Sequence, residues 1–212
     1  GLRYAYGDFR FPRKEPDGIL AMNQLSGSNG GRISGLGGGI NYDTRNNLFS
    51  PSEGWLVDAS VYAEGRGTGS QFQYQRFSAD GARYVPLGKQ GVLALNAVAV
   101  FSFGDVPFHQ MPVIGGTRRM RGYFEGKYRD KHLMMVQAEC RMPLFWRFGA
   151  VGFGGLGMVG ESFEALALRH TRYNFGGGLR FLIDKAQKIN IRADYGWGYR
   201  SSGFYLTFGE AF

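Results

Sequence analysis

The side chains able to do chemistry are few and scattered in this 212-residue chain. Its three histidines, His109, His132 and His170, are far apart, and no two stand at the close spacing of metal-ligand pairs. No metal centre or other cofactor is expected. Cys140 is the one cysteine, so an internal disulfide framework is excluded, and no base accompanies it. Neither a nucleophile elbow nor a triad pattern appears. The glycine run Gly35 to Gly39 lacks the Gly-Lys-Ser/Thr of a phosphate loop; curvature or close packing explains it better. The Thr117-Arg118-Arg119 run comes with no nucleic-acid-binding fold. Enzymatic activity, a small-molecule substrate and a nucleic-acid partner are therefore not expected.

What remains is ionic. Between Val106 and His132 stand six basic residues (Arg118, Arg119, Arg121, Lys127, Arg129, Lys131) against two acids, Glu125 and Asp130. That segment carries half of the formal charge of +8. One reading is a plug held in a lumen lined by Asp58, Glu64, Glu139 and Asp194, where ion pairs count for more than at a surface. Desolvation opposes that gain, so geometry decides it. The other reading is a solvated outer loop against lipopolysaccharide phosphates.

The elements that would position these charges follow a two-residue period. Ile189, Ile191, Ala193, Tyr195 and Trp197 share one face, with Asn190, Arg192, Asp194 and two glycines opposite. An arginine at mid-bilayer costs roughly 2–4 kcal/mol, so Arg192 must point inward. Leu133–Met142 sets Met134, Val136, Ala138, Cys140 and Met142 against Gln137, Glu139 and Arg141. Tyr173–Asp184 sets Tyr173, Phe175, Leu179, Phe181 and Ile183 against Asn174 and Arg180. Trp55–Glu64 sets Trp55, Val57, Ala59, Val61 and Ala63 against Asp58, Ser60, Tyr62 and Glu64. Less regular strands are expected at Leu2–Phe11, Ser34–Asp43, Gln71–Ser78, Val92–Gly104, Phe148–Val159 and Phe204–Phe212. Val92–Gly104 is apolar on both faces for much of its length. In the last strand Phe204, Leu206, Phe208 and Phe212 share a face, with Glu210 on the same register near the rim.

Glycine is 35 of 212 residues and aromatics are 16%, against a usual glycine share of about 7%. Mean hydropathy is −0.25, and no run of about 20 apolar residues exists to make a membrane helix. Short turns near 51–54, 86–88, 143–146 and 184–188 alternate with longer links over 12–29, 106–132 and 161–171. The pattern predicts an all-β, transmembrane, antiparallel up-and-down β-barrel. It would be a single domain over 1–212 with about ten strands, eight or twelve also being compatible, and the long basic loop folded into the lumen. The chain reads as mature or trimmed, since no signal peptide precedes Gly1.

Four motifs resemble the bacterial surface antigen superfamily of BamA-like outer-membrane barrels. They are Tyr42-Asp43-Thr44-Arg45-Asn46-Asn47 followed by Pro51 and Gly54; Gly115-Gly116 followed by Met120-Arg121-Gly122-Tyr123; Glu139-x-Arg141; and Gly152-Phe153 with Gly157. With the C-terminal phenylalanine, these cover about 35–212. The resemblance implies a bacterial outer-membrane protein that inserts or assembles other barrels or exports polypeptides, in contact with lipid, lipopolysaccharide and other outer-membrane or periplasmic proteins. It implies that Arg121 is a latch in the lumen with Glu139 as its wall partner. Gly122 and Tyr123 would complete the latch, and Phe204, Leu206, Phe208 and Phe212 would form a C-terminal insertion signal. Gly155 stands where the family has a second acid, so the clamp is expected to be half-supplied. The chain also lacks POTRA repeats and looks like a short member or the C-terminal part of a longer barrel. The alternatives are a structural or accessory barrel subunit of a larger complex, or a narrow loop-gated channel.

Overall fold

The structure, a computed structural model, describes residues 1–11, 13, 18, 25–88, 90–167 and 170–212. Its strands are β1 (Leu2–Phe9), β2 (Gly31–Asp43), β3 (Gly54–Glu64), β4 (Tyr74–Leu87), β5 (Gly91–Gly104), β6 (Val113–Ile114), β7 (Tyr128–Arg129), β8 (His132–Pro143), β9 (Phe148–Gly160), β10 (Arg172–Asp184), β11 (Ile189–Gly198) and β12 (Ser201–Phe208). Ten of them form one antiparallel meander in the order β1-β2-β3-β4-β5-β8-β9-β10-β11-β12. The short β6–β7 pair sits within the β5–β8 connection. Most of the expected link at 12–29 lies outside the described residues. Among the described residues no helix is long and apolar enough to cross a membrane.

Alternation sorts the side chains onto two faces. Phe208 is 74% exposed and Leu206 66%, values that place them on an outer surface, the one expected to face lipid, rather than in a core. Trp55, Val136, Phe175, Leu179 and Trp197 share that outer surface. The inner face is the one the β5–β8 connection covers. There Ile114, Met120 and Tyr123 of the connection pack on Val98, Val100, Leu133 and Met135 of β5 and β8. This explains why β5 is apolar on both sides: one face is the outer surface expected to meet lipid and the other receives the loop. Burying apolar surface contributes about 25 cal/mol per Å², so the covering segment is held as a core element and not as a tethered surface loop.

Three sequence expectations differ from the structure. The sheet has β1 and β12 as its edges, not hydrogen-bonded to each other, and so does not by itself bear out the expected closed ring. β4 runs well beyond Ser78, to Leu87, and at its start Phe72 and Tyr74 are buried while Gln73 and Gln75 are exposed. Tyr74 turns inward because its hydroxyl donates to Glu64, at 3.1 Å. Finally, β12 ends at Phe208. Gly209 follows in the left-handed region, at φ 74°, and re-aims the chain. Glu210 then joins inner-face arginines, and Phe212 packs against inner-face Tyr84, Val92 and Ala94. Neither lies on the outer register expected for it.

Candidate functional site: a buried arginine clamp

The connection from Asp105 to Lys131 is shaped by its own turns before it meets the wall. β6 pairs with β7, and Gly115 bridges Arg119. The Gly116 amide donates to the Tyr123 carbonyl, at 3.0 Å. This presents Met120, Arg121, Gly122 and Tyr123 as a compact tip, all four buried. Gly122 has φ 110°, and a Cβ there would lie 2.7 Å from the Trp197 backbone. Only glycine fits on both counts.

The wall opposite the tip has been cleared of side chains. A Cβ on Gly196 would fall 2.8 Å from the Arg121 backbone, and one on Gly198 would fall 2.3 Å from the Tyr123 ring. Around this bare patch, wall groups satisfy the tip's backbone. Asn174 donates to the Arg121 carbonyl at 2.7 Å. The Tyr205 hydroxyl accepts from the Gly122 amide at 2.9 Å and donates to the Tyr123 carbonyl at 3.0 Å. Gln137 accepts from the Met120 amide at 3.3 Å and donates to the Arg118 carbonyl at 2.9 Å. The Tyr123 hydroxyl donates to the Tyr173 carbonyl at 2.6 Å. Buried backbone groups require such partners, and here strands β8, β10 and β12 supply them.

At the centre, the Arg121 guanidinium pairs with Glu139 of β8 and Asp194 of β11. Its face lies 3.6 Å from the Phe153 ring centroid. Each carboxylate has a second arginine: Arg141 lies 2.9 Å from Glu139, and Arg180 binds Asp194. Arg192 stands 3.7 Å from Asp194 and hydrogen-bonds Thr207 and the Thr117 carbonyl. Glu210 lies 2.9 Å from Arg180 and 3.7 Å from Arg141. The expectation of a half-supplied clamp is thus corrected. Asp194 provides the second carboxylate, from β11 instead of β9. Gly155 has no room for one, because a Cβ there would be 2.9 Å from both Asn174 Oδ1 and the Gln137 Cβ.

The structure brings Arg121, Gly122, Tyr123, Glu139, Arg141, Arg180, Arg192 and Asp194 together. Asp58 and Glu64 stand apart. Asp58 accepts from Asn41 at 2.8 Å, and buried Glu64 accepts from Tyr74 and Ser70. The Tyr42–Gly54 motif forms a turn apart from the clamp, tied to the β10–β11 turn by Asn47, which donates to the Gln187 carbonyl at 3.2 Å. Arg45 pairs with Asp43 at 2.7 Å, Pro51 is buried, and a Cβ on Gly54 would meet the Thr44 carbonyl at 2.3 Å. Tyr42 is exposed beside it. Sequence reasoning missed Gln137, Asn174 and Tyr205 as tip partners, although their inward parity could have nominated them. Glu210 left no such signal, since it comes after the strand has ended.

The arrangement holds no nucleophile–base pair; what it can do is lock one loop against five strands. A model of the Omp85 superfamily domain matches residues 3–212. Among solved structures, BamA from Haemophilus ducreyi lacking POTRA domains 1–3 is similar in fold, with a TM-score of 0.69 at 16% identity. The match covers 98% of this chain and 49% of that one. The chain therefore spans about half the length of the solved relative. No curated protein matches the sequence.

Proposed function

Because this chain belongs to the Omp85 superfamily and is a bacterial outer-membrane protein, we propose that it acts without catalysis in outer-membrane protein insertion and assembly or in polypeptide export. In this reading residues 1–212 form one barrel whose lumen is sealed by its own basic loop. The observation that carries the reading is the Arg121 clamp, which holds residues 113–129 against the inner face through Glu139 and Asp194. An interior occupied by the loop along β5 and β8–β12 argues against free diffusion through the centre and directs attention to the membrane-facing edges. Hydrocarbon does not tolerate unpaired strand edges, so β1 and β12 are proposed to meet as a seam. Phe204, Leu206 and Phe208, exposed on the outer face of β12, are proposed as the insertion signal.

The test is reconstitution in lipid vesicles after Cys140→Ser, with single cysteines placed along β1 and β12. Oxidative cross-links within one copy, together with faster folding of a urea-unfolded barrel client than in empty vesicles, are expected. Cross-linking with no acceleration of any client would overturn the assembly role. A second reading, an accessory subunit completed by other strands, is favoured by the half-length coverage of the solved relative. Cross-links that form only between chains would select it.

A further inference from the structure

At the end of the sheet bearing the short turns, a cavity of about 200 Å³ is bordered by Arg141, Arg147, Arg180, Asn190 and Glu210. Three observations meet there. First, the buried charge is unbalanced. Arg121, Arg141, Arg180 and Arg192 face Glu139, Asp194 and Glu210, every side chain at most 8% exposed. Among these side chains one positive charge is left over, although Arg141 also donates to the Phe212 backbone oxygen at 3.0 Å. Second, Nη1 of Arg141, Nη2 of Arg180 and Nε of Arg147 are buried N–H donors with no acceptor. Such groups are rare, and each calls for a partner. Third, the turn beside the cavity exposes Leu144, Phe145 and Trp146. Aromatic side chains of this kind lie at the level of lipid headgroups.

We propose that this cavity binds a phosphate group. A phosphate has enough oxygens to accept from all three donors once the Arg141, Arg147 and Arg180 side chains turn them toward the cavity, and guanidinium forks match phosphate geometry. A lone carboxylate is already present as Glu210, which accepts from Arg180 and Asn190 at 2.9 Å each, and the three donors remain idle beside it. The phosphate comes either from solution or from a phospholipid headgroup at the membrane surface. The site does not depend on the assembly role proposed above.

The test uses the full chain in a maltoside detergent free of phosphate. The heat-modified transition is followed while inorganic phosphate, or phosphatidylglycerol in mixed micelles, is titrated at constant ionic strength. The expected result is a saturable rise with one of the two. Saturation by inorganic phosphate identifies a free ion, and saturation by the lipid alone identifies a headgroup. Phosphate also stabilises proteins unspecifically, but that effect does not saturate. Arg147→Gln, outside the Arg121 ion-pair network, is expected to raise the half-saturating concentration at least threefold. Its transition in chloride alone should fall somewhat, because Arg147 also donates to the Leu182 and Ile183 carbonyls at 3.3 and 3.0 Å, so the phosphate-dependent rise above that baseline is compared. Phosphorus NMR line broadening, expected with wild type and weaker with Arg147→Gln, supplies an independent comparison. A linear response, no response to either source, or a response untouched by Arg147→Gln would overturn the site.

Discussion

Arg121→Ala isolates the clamp. The substitution removes the shared partner of Glu139 and Asp194, which are fully buried, and empties the space over Phe153. Removing one member of a buried pair costs about 3–5 kcal/mol. Here the lower end applies. Glu139 keeps Arg141, Asp194 keeps Arg180, and the remaining buried charges balance. About 3 kcal/mol is roughly a 150-fold shift in the docked-to-undocked equilibrium of the loop. When opening is fast relative to cleavage, protease attack follows that equilibrium. Limited trypsinolysis in vesicles should therefore cut after Arg118, Arg119 or Lys127 about two orders of magnitude faster in the variant, while the strands stay protected. Arg119→Gln is the control. Its pair with Asp80, at 3.3 Å, is partly solvated, and such pairs contribute about 0–1 kcal/mol. A cleavage rate for Arg121→Ala within about threefold of wild type would refute the clamp as the loop's main anchor.

Other perturbations have directed outcomes. Gly198→Ala should displace the Tyr123 ring, which would sit 2.3 Å from the new Cβ; overpacking of about 1–3 kcal/mol should appear as faster loop cleavage with the β-sheet circular dichroism unchanged. Gly155→Asp, which restores the family-like acid, should lower the thermal transition rather than raise it, because Asp194 already holds the position and Asn174 and Gln137 fill the space. Burial, then Arg129, pushes His109 below its ordinary value. The neutral ring, against Phe9, therefore supports the loop above about pH 6.5 and loses that contribution as pH falls. Protection factors of residues 106–111, which remove the intrinsic pH dependence of exchange, should fall between pH 7 and 5 in wild type and stay level in His109→Phe.

The strands were legible where one face had to be apolar. Ile189 to Trp197 alternates without error, and β11 runs Ile189–Gly198. Legibility failed where the inner face stopped being polar. Val98 and Val100 of β5 blurred the alternation because a loop distant in sequence covers them. Near the start of β4 the apolar Phe72 and the Tyr74 ring lie on the inner face, where the Tyr74 hydroxyl donates to Glu64, so hydrophobicity alone did not mark the outer side. The pairing of Arg121 with Glu139 could be anticipated only through motif resemblance. Its other partner, Asp194, lies 73 positions along the chain; its inward parity was readable, but which cation it would meet was not. Open or closed edges were beyond reach, since a periodicity describes each strand and not the curvature of the whole sheet.

The clamp draws its partners from strands that come after the loop in the chain. Glu139 arrives with β8, Asn174 with β10, Asp194 with β11 and Tyr205 with β12. A polypeptide that has zipped only as far as β9 offers Arg121 one carboxylate, and the tip's carbonyls still need water. Full seating of the loop thus reports that the final hairpin is in place. Maturation has a built-in order: the interior can harden only once the last strand has docked.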